Sequence, residues 1–126
     1  MRPKSLAEVA DLAGDGESFD RCLANFLDDF YAQPTSAALA PVPRRLAPLQ
    51  GYDGQVRDAY LAGTAEELAA KYGLAVPSWT ASSDRALHSP WFASPLAALR
   101  AVLLVESPAA FRARNLFISE NALNRV

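Results

Sequence analysis

Ser18-Phe19-Asp20-Arg21-Cys22-Leu23-Ala24-Asn25-Phe26-Leu27-Asp28-Asp29-Phe30-Tyr31 is the stretch on which the fold turns. Phe19, Cys22, Leu23, Phe26, Leu27, Phe30 and Tyr31 recur at steps of three and four, which lays them along one side of an α-helix. Asp20, Arg21 and Asp28 point away from that stripe, and Asp29 sits at its edge. Ser18 supplies a side-chain oxygen to cap the start, and Pro34 ends the helix. A stripe this wide needs an apolar surface to pack against, and the rest of the chain is read for one.

Upstream, Ser5-Leu6-Ala7-Glu8 has the form of a capping box and opens a helix through Leu6, Val9, Ala10 and Ala13, closed at Gly14. Downstream, Pro41, Pro43 and Pro48 break up the segment 35–50, where Ser36–Ala40 has room for one turn. That segment is too apolar for a flexible linker, so no domain boundary falls there. Helix resumes near Asp53 with Val56, Tyr60 and Leu61 on one face, and Gly63 is expected to break it. Thr64-Ala65-Glu66-Glu67 reads as a second capping box, leading through Leu68, Ala69 and Tyr72 to Gly73. Residues 74–90 form a structured loop anchored by Trp79, Trp91 and Phe92. Ser94 and Pro95 start a helix that runs to Glu106 and is apolar almost all round, so a central buried element is expected. Ser107-Pro108 restarts a short helix to Arg114, Leu116-Phe117-Ile118 is a brief extended run, and Ser119 caps a last turn. The expected fold is all-α: a single domain over 1–126, a bundle of five to seven helices with a Pro-rich connection and a short extended run near the C-terminus.

Composition narrows the function. The chain has 126 residues, 51% of them hydrophobic, and a formal charge of −2 from 12 basic and 14 acidic residues. That balance disfavours capture of nucleic acid, which needs a basic face. The single cysteine, Cys22, excludes an intrachain disulfide framework, and the single histidine, His88, excludes the usual zinc sites. No apolar run reads as a signal peptide or a membrane span, so a cytoplasmic protein is expected, with no cofactor. Charge is uneven: residues 1–33 carry seven acidic and three basic side chains, and residues 84–126 carry five basic and three acidic. Either the two ends attract each other within the fold or each faces a different partner.

Reactive constellations are sparse. Cys22 lies inside an apolar stripe, where burial raises a thiol's pKa and works against activation. His88 is near Ser83 and Ser89, but no Gly-x-Ser-x-Gly turn surrounds a serine. Asp28-Asp29 and Glu66-Glu67 are adjacent pairs, which diverge around a helix and do not share a face. Arg100 lies in the middle of the apolar helix. It either snorkels to water along its own stem or meets a carboxylate, with Asp29 the candidate.

Three functional readings follow. Arginines and aromatics alternate from Glu106 to Arg125, a composition suited to protein interfaces. Arg112, Arg114, Asn115, Phe117 and Asn121 are the candidate contact residues, and the partner is another protein or a second copy. The segment 64–85 has the first helix and glycine turn of a helix-turn-helix, but after the turn no lysine or arginine comes before Arg85, so DNA binding is the alternative. A pocket walled by Trp79, His88 and Trp91 is the third, for a small-molecule binder or an enzyme.

The text of Glu106–Val126, with Tyr72-Gly73-Leu74-Ala75-Val76-Pro77-Ser78-Trp79, Pro90-Trp91-Phe92 and Phe19–Tyr31, resembles a family of small bacterial proteins with no assigned activity. Such proteins are in turn similar to antitoxin-like partners of nucleotidyltransferase-type toxins. The resemblance implies binding to a cognate protein and assigns no catalytic residue.

Overall fold

A computed structural model describes residues 2–125. Five α-helices dominate it: α1 (Leu6–Gly14), α2 (Phe19–Ala32), α3 (Ala47–Tyr72), α4 (Ala97–Glu106) and α5 (Ala109–Arg112). Three 3₁₀ turns lie at Ser36–Ala38, Ser78–Ala81 and Ser83–Arg85. Two short strands, β1 (Trp91–Phe92) and β2 (Leu116–Phe117), pair in parallel, Trp91 opposite Leu116 and Phe92 opposite Phe117. The extended run expected near the C-terminus therefore finds its partner within the chain.

The sequence dictates α2 most directly. Ser18 Oγ accepts from the Arg21 amide, and the six residues from Phe19 to Phe30 on the stripe are all buried. Each large side chain there contributes about 1.5–3 kcal/mol by leaving water. At α1, Ser5 Oγ accepts from the Glu8 amide at 3.1 Å. The reciprocal bond of the capping box shifts by one residue, since the Glu8 carboxylate accepts from the Lys4 amide at 3.3 Å. α1 and α2 pack against each other and against α3, around a core that includes Leu6, Phe26, Leu61, Leu68 and Phe111.

Two expectations about helices are corrected. Gly63 does not break α3, and no second capping box forms at Thr64, whose hydroxyl donates to the Tyr60 carbonyl one turn back. Gly63 is there because Phe111 of α5 crosses at that point. A Cβ on residue 63 would stand 2.9 Å from the Phe111 ring. The break lies earlier, at Gly51, whose φ of 62° and ψ of −135° divide a first turn, Ala47–Gln50, from the long remainder. That backbone region is open essentially to glycine alone.

The second correction concerns α4. It is peripheral, not central. Only Leu103 is buried, while Leu96 is 62% exposed, Val105 81%, and Leu99, Val102 and Leu104 are each at least two-fifths exposed. α4 is an excursion between β1 and α5, and it touches the body mainly through β2. Its lack of a polar face reflects an uncovered surface. Arg100 neither meets Asp29 nor lies buried: its guanidinium sits 5.2 Å from the centre of the Phe92 ring. Asp29 is taken by Arg2 and Lys4.

The uneven charge closes the fold on itself. Arg125 Nε lies 2.9 Å from Asp28 Oδ1, and Arg2 reaches the same carboxylate at 3.7 Å. Tyr31 Oη donates to the Leu123 carbonyl at 2.8 Å, fixing the C-terminal turn against α2.

Candidate functional site

The five residues expected to form a contact surface divide between structure and surface. Arg114 is buried and belongs to the core of the fold. Its guanidinium donates to Glu66 at 2.6 and 3.1 Å, to the Thr80 carbonyl at 2.8 Å and to the Ala110 carbonyl at 2.7 Å. Asn115 has a positive φ of 62°, and its side-chain amide donates to the Leu87 carbonyl at 2.7 Å. Both hold the loop 78–91 onto the C-terminal segment. Phe117 is half-buried and stacks on Phe92 with ring centres 5.1 Å apart. Arg112 and Asn121 remain exposed. The expected interface is thus not one continuous surface.

Arg114 also sets a pH dependence. The Glu66 carboxyl is held below its ordinary value of 4.5, first by the hydrogen bonds from Arg114 and despite the opposing effect of burial. A carboxylate with a depressed folded-state pKa contributes stability that is present above the unfolded value and lost as pH falls through the folded one. The expected result is an unfolding midpoint that drops as pH falls below about 4.5, with a smaller drop in Glu66→Gln, measured by thermal melts across that range. An identical slope in both proteins would sink the assignment.

Trp79, His88 and Trp91 do not converge. Trp79 is buried, with its indole N–H donating to the Leu39 carbonyl at 3.0 Å and Arg85 stacked 5.1 Å over its ring. His88 is exposed. Trp91 alone faces a cavity, a cleft of about 650 Å³ between α2, the first part of α3 and the C-terminal segment. Phe19, Asp20, Asp53, Arg57 and Tyr60 also line it. Burial, with Asp20 nearby, pushes the Tyr60 hydroxyl up to about 12, so it stays protonated and can donate. Arg57 is bonded to the Gln50 side chain at 2.6 Å and lies 5.7 Å from the centre of the Phe19 ring. The cleft therefore joins aromatic walls to charges of both signs.

The place where a helix-turn-helix needs its recognition helix holds an extended run and two 3₁₀ turns. Arg85, the first basic residue there, is buried. It points inward to Asp58 at 3.7 Å. A side chain so placed cannot reach a phosphate.

Asp58 is the polar residue the sequence reading missed. Fully buried, it accepts from the Leu46 amide at 2.7 Å, the Ala47 amide at 3.1 Å and Arg45 Nε at 3.0 Å. Arg45 extends the cluster to Asp84 at 2.6 Å. One carboxylate thus caps the first turn of α3 from within the same helix, made possible by the fold-back at Gly51. Gly54 permits it, since a Cβ there would collide with the Leu46 carbonyl. The cluster is structural: Asp58 and Arg85 are buried and paired, and Arg45 and Asp84 carry the network to the surface. Cys22 is buried too, and burial raises its thiol above the usual value. Among the described residues no group of three or more His, Cys, Asp or Glu is placed to hold a metal ion.

The largest unsatisfied demand on this surface is apolar. At about 100° per residue, Ala97, Ala98, Ala101, Val102, Leu104 and Val105 fall on the side of α4 away from buried Leu103. All six are exposed. A contiguous apolar patch on the order of 500 Å² falls within the range of the largest patches on monomers, which are often functional. No helix among the described residues is long and apolar enough to cross a membrane. No protein-family model matches the chain, and neither does any curated protein or solved structure.

Proposed function

We propose that the chain is a non-catalytic protein-interaction module of the cytoplasm, with α4 as its contact surface. The exposed apolar outer face of α4 carries the reading. Val102 and Leu104 are already about half-buried and Val105 is 81% exposed, so a partner covering them would supply part of the roughly 1.5–3 kcal/mol that fully burying each gives. The stacked pair Phe92 and Phe117, with Arg100 over Phe92, extends the face toward the body with aromatic and arginine side chains, the types enriched at interfaces. Arg112 and Asn121 are left as polar contacts outside the apolar centre. An antitoxin-like role is the form of this reading that the resemblance names: a helical bundle that acts by covering a partner.

Cross-linking in the native host tests it. The wild-type chain is expected in a complex heavier than its own 13.6 kDa, and Val105→Glu, which puts a charge on the most exposed apolar side chain of the face, is expected to run alone. A wild-type chain that runs alone overturns the reading. A complex that survives Val105→Glu moves the contact off α4.

A second reading has one observation behind it, the cleft beside Trp91. Its mixed walls suit a small amphipathic molecule, held by stacking on Trp91 and by the Tyr60 hydroxyl. A ligand-dependent change in tryptophan fluorescence that Tyr60→Phe weakens would favour it; Trp79, sealed in the core, is the unresponsive background.

A further inference from the structure

Whether α4 faces a foreign protein or a second copy of this chain is decided by the distribution of side-chain volume along its outer face. The first half of that face is small: Ala97, Ala98 and Ala101. The second half is large: Val102, Leu104 and Val105. No charge lies on it, because Arg100 and Glu106 fall on the flanks beside buried Leu103.

We infer that the outer face of α4 is a self-complementary surface on which two copies of this chain pair antiparallel about a two-fold axis at Ala101. This deepens the protein-interaction reading and rests on it. With the axis at Ala101, Ala97 of one copy meets Val105 of the other, and Ala98 meets Leu104. Each large side chain then enters the space left by a small one, which is how packed helices interdigitate. A parallel pair sets alanine against alanine at one end and valine against valine at the other, leaving a void and a clash. Antiparallel pairing also places the N-terminus of each helix beside the C-terminus of its partner, where the backbone dipoles attract. A two-fold contact is isologous, so one patch suffices and assembly stops at two. No ionised group is stripped of water in the process, because the face holds none.

The area sets the strength. Two such faces bury on the order of 1,000 Å² in total, the low end for a specific interface. The dimer is therefore expected to dissociate at micromolar concentration and to be captured at higher concentration.

Light scattering after gel filtration of the whole chain, over a concentration series, is the test. The wild type is expected to pass from monomer to dimer. Ala101→Glu and Ala101→Lys each set like charges against each other across the axis and are expected to weaken the dimer at least tenfold. An equimolar mixture of the two is expected to associate again, because opposite charges now meet. Ala101 is exposed and both replacements favour helix, so circular dichroism is expected to show folded protein in each case. Orientation is read from a mixture of Ala97→Glu and Val105→Lys chains, which pair in the antiparallel arrangement and not in the parallel one. A wild-type chain that stays monomeric at millimolar concentration overturns the inference. So does a dimer that both Ala101 variants retain, or a mixture that fails to recover. A monomer whose complex with a different protein is lost in Val105→Glu overturns self-pairing and leaves the protein-interaction reading standing. A monomer retained by phosphatidylcholine vesicles through α4 overturns both.

Discussion

Asp58→Ala is expected to remove about 3–5 kcal/mol of folding stability, the usual cost of breaking a buried charge cluster. The carboxylate is fully buried and serves several donors at once: the amides of Leu46 and Ala47, Arg45 Nε, and Arg85 at longer range. Removing it orphans two backbone N–H groups and takes the nearest carboxylate from Arg85 in the core. Each orphaned amide alone costs about 1–3 kcal/mol. A domain of this size holds about 5–15 kcal/mol in all, so the variant is expected to lie near the edge of folding at 25 °C. Asp58→Asn keeps the shape and one acceptor oxygen, and is expected to fall between the alanine variant and the wild type. Urea titrations followed by circular dichroism measure both. A loss under 1 kcal/mol in the alanine variant would show that water, not the cluster, supplies those donors.

Phe111→Ala is the second large effect, expected at about 3–5 kcal/mol for a fully buried aromatic ring. Its seat on Gly63 makes a sharper experiment possible. In the wild type, Gly63→Ala brings a Cβ to 2.9 Å from the ring, and overpacking of that kind costs about 1–3 kcal/mol. Against it stands the roughly 1 kcal/mol that alanine gains over glycine inside a helix. The net change is expected to be a loss. In the Phe111→Ala background the ring is gone, and the same Gly63→Ala change is expected to become stabilising. A double-mutant cycle by chemical denaturation reads the change of sign. A Gly63→Ala effect of the same sign in both backgrounds would mean that the ring does not set the need for glycine.

These residues also mark how far the sequence could be read. α2 was legible because its stripe, its cap and its stop lie within one local stretch, and all three agree. The α1 start, the turn at Ser36 and the restart after Pro108 were legible for the same reason. Gly63 was misread because its reason stands 48 residues away, in a ring that no local pattern announces. Thr64 was misread with it, since a capping signal acts only where a helix begins. Asp58 lies in α3, Arg45 and Arg85 lie in the proline-broken segments on either side of it, and only the fold, with its turn-back at Gly51, brings the three together. α4 failed differently. Its pattern, apolar on every side, was seen correctly, but the pattern reports that water is unwelcome and not what replaces it. Arg114 and Asn115, expected as contact residues, use their donors inside the fold, on Glu66 and on main-chain carbonyls. Trp79, expected as an anchor, is in the core, and Trp91 is partly buried against it.

The parallel pairing of β1 with β2 has a dynamic consequence. The Trp91 amide donates to the Asn115 carbonyl and the Ala93 amide to that of Phe117. At the far end, Ser107 Oγ donates to the Leu116 carbonyl and accepts from the Ile118 amide. The segment between these two clasps is held at its ends and only lightly along its length. It is expected to unwind and rewind while the rest stays shut, as a low-stability unit of its own. Its amide hydrogens are expected to trade with deuterium within seconds while those of Phe26 and Leu61 hold for hours, so that an occupied and a vacant molecule differ first in the exchange rate of this one helix.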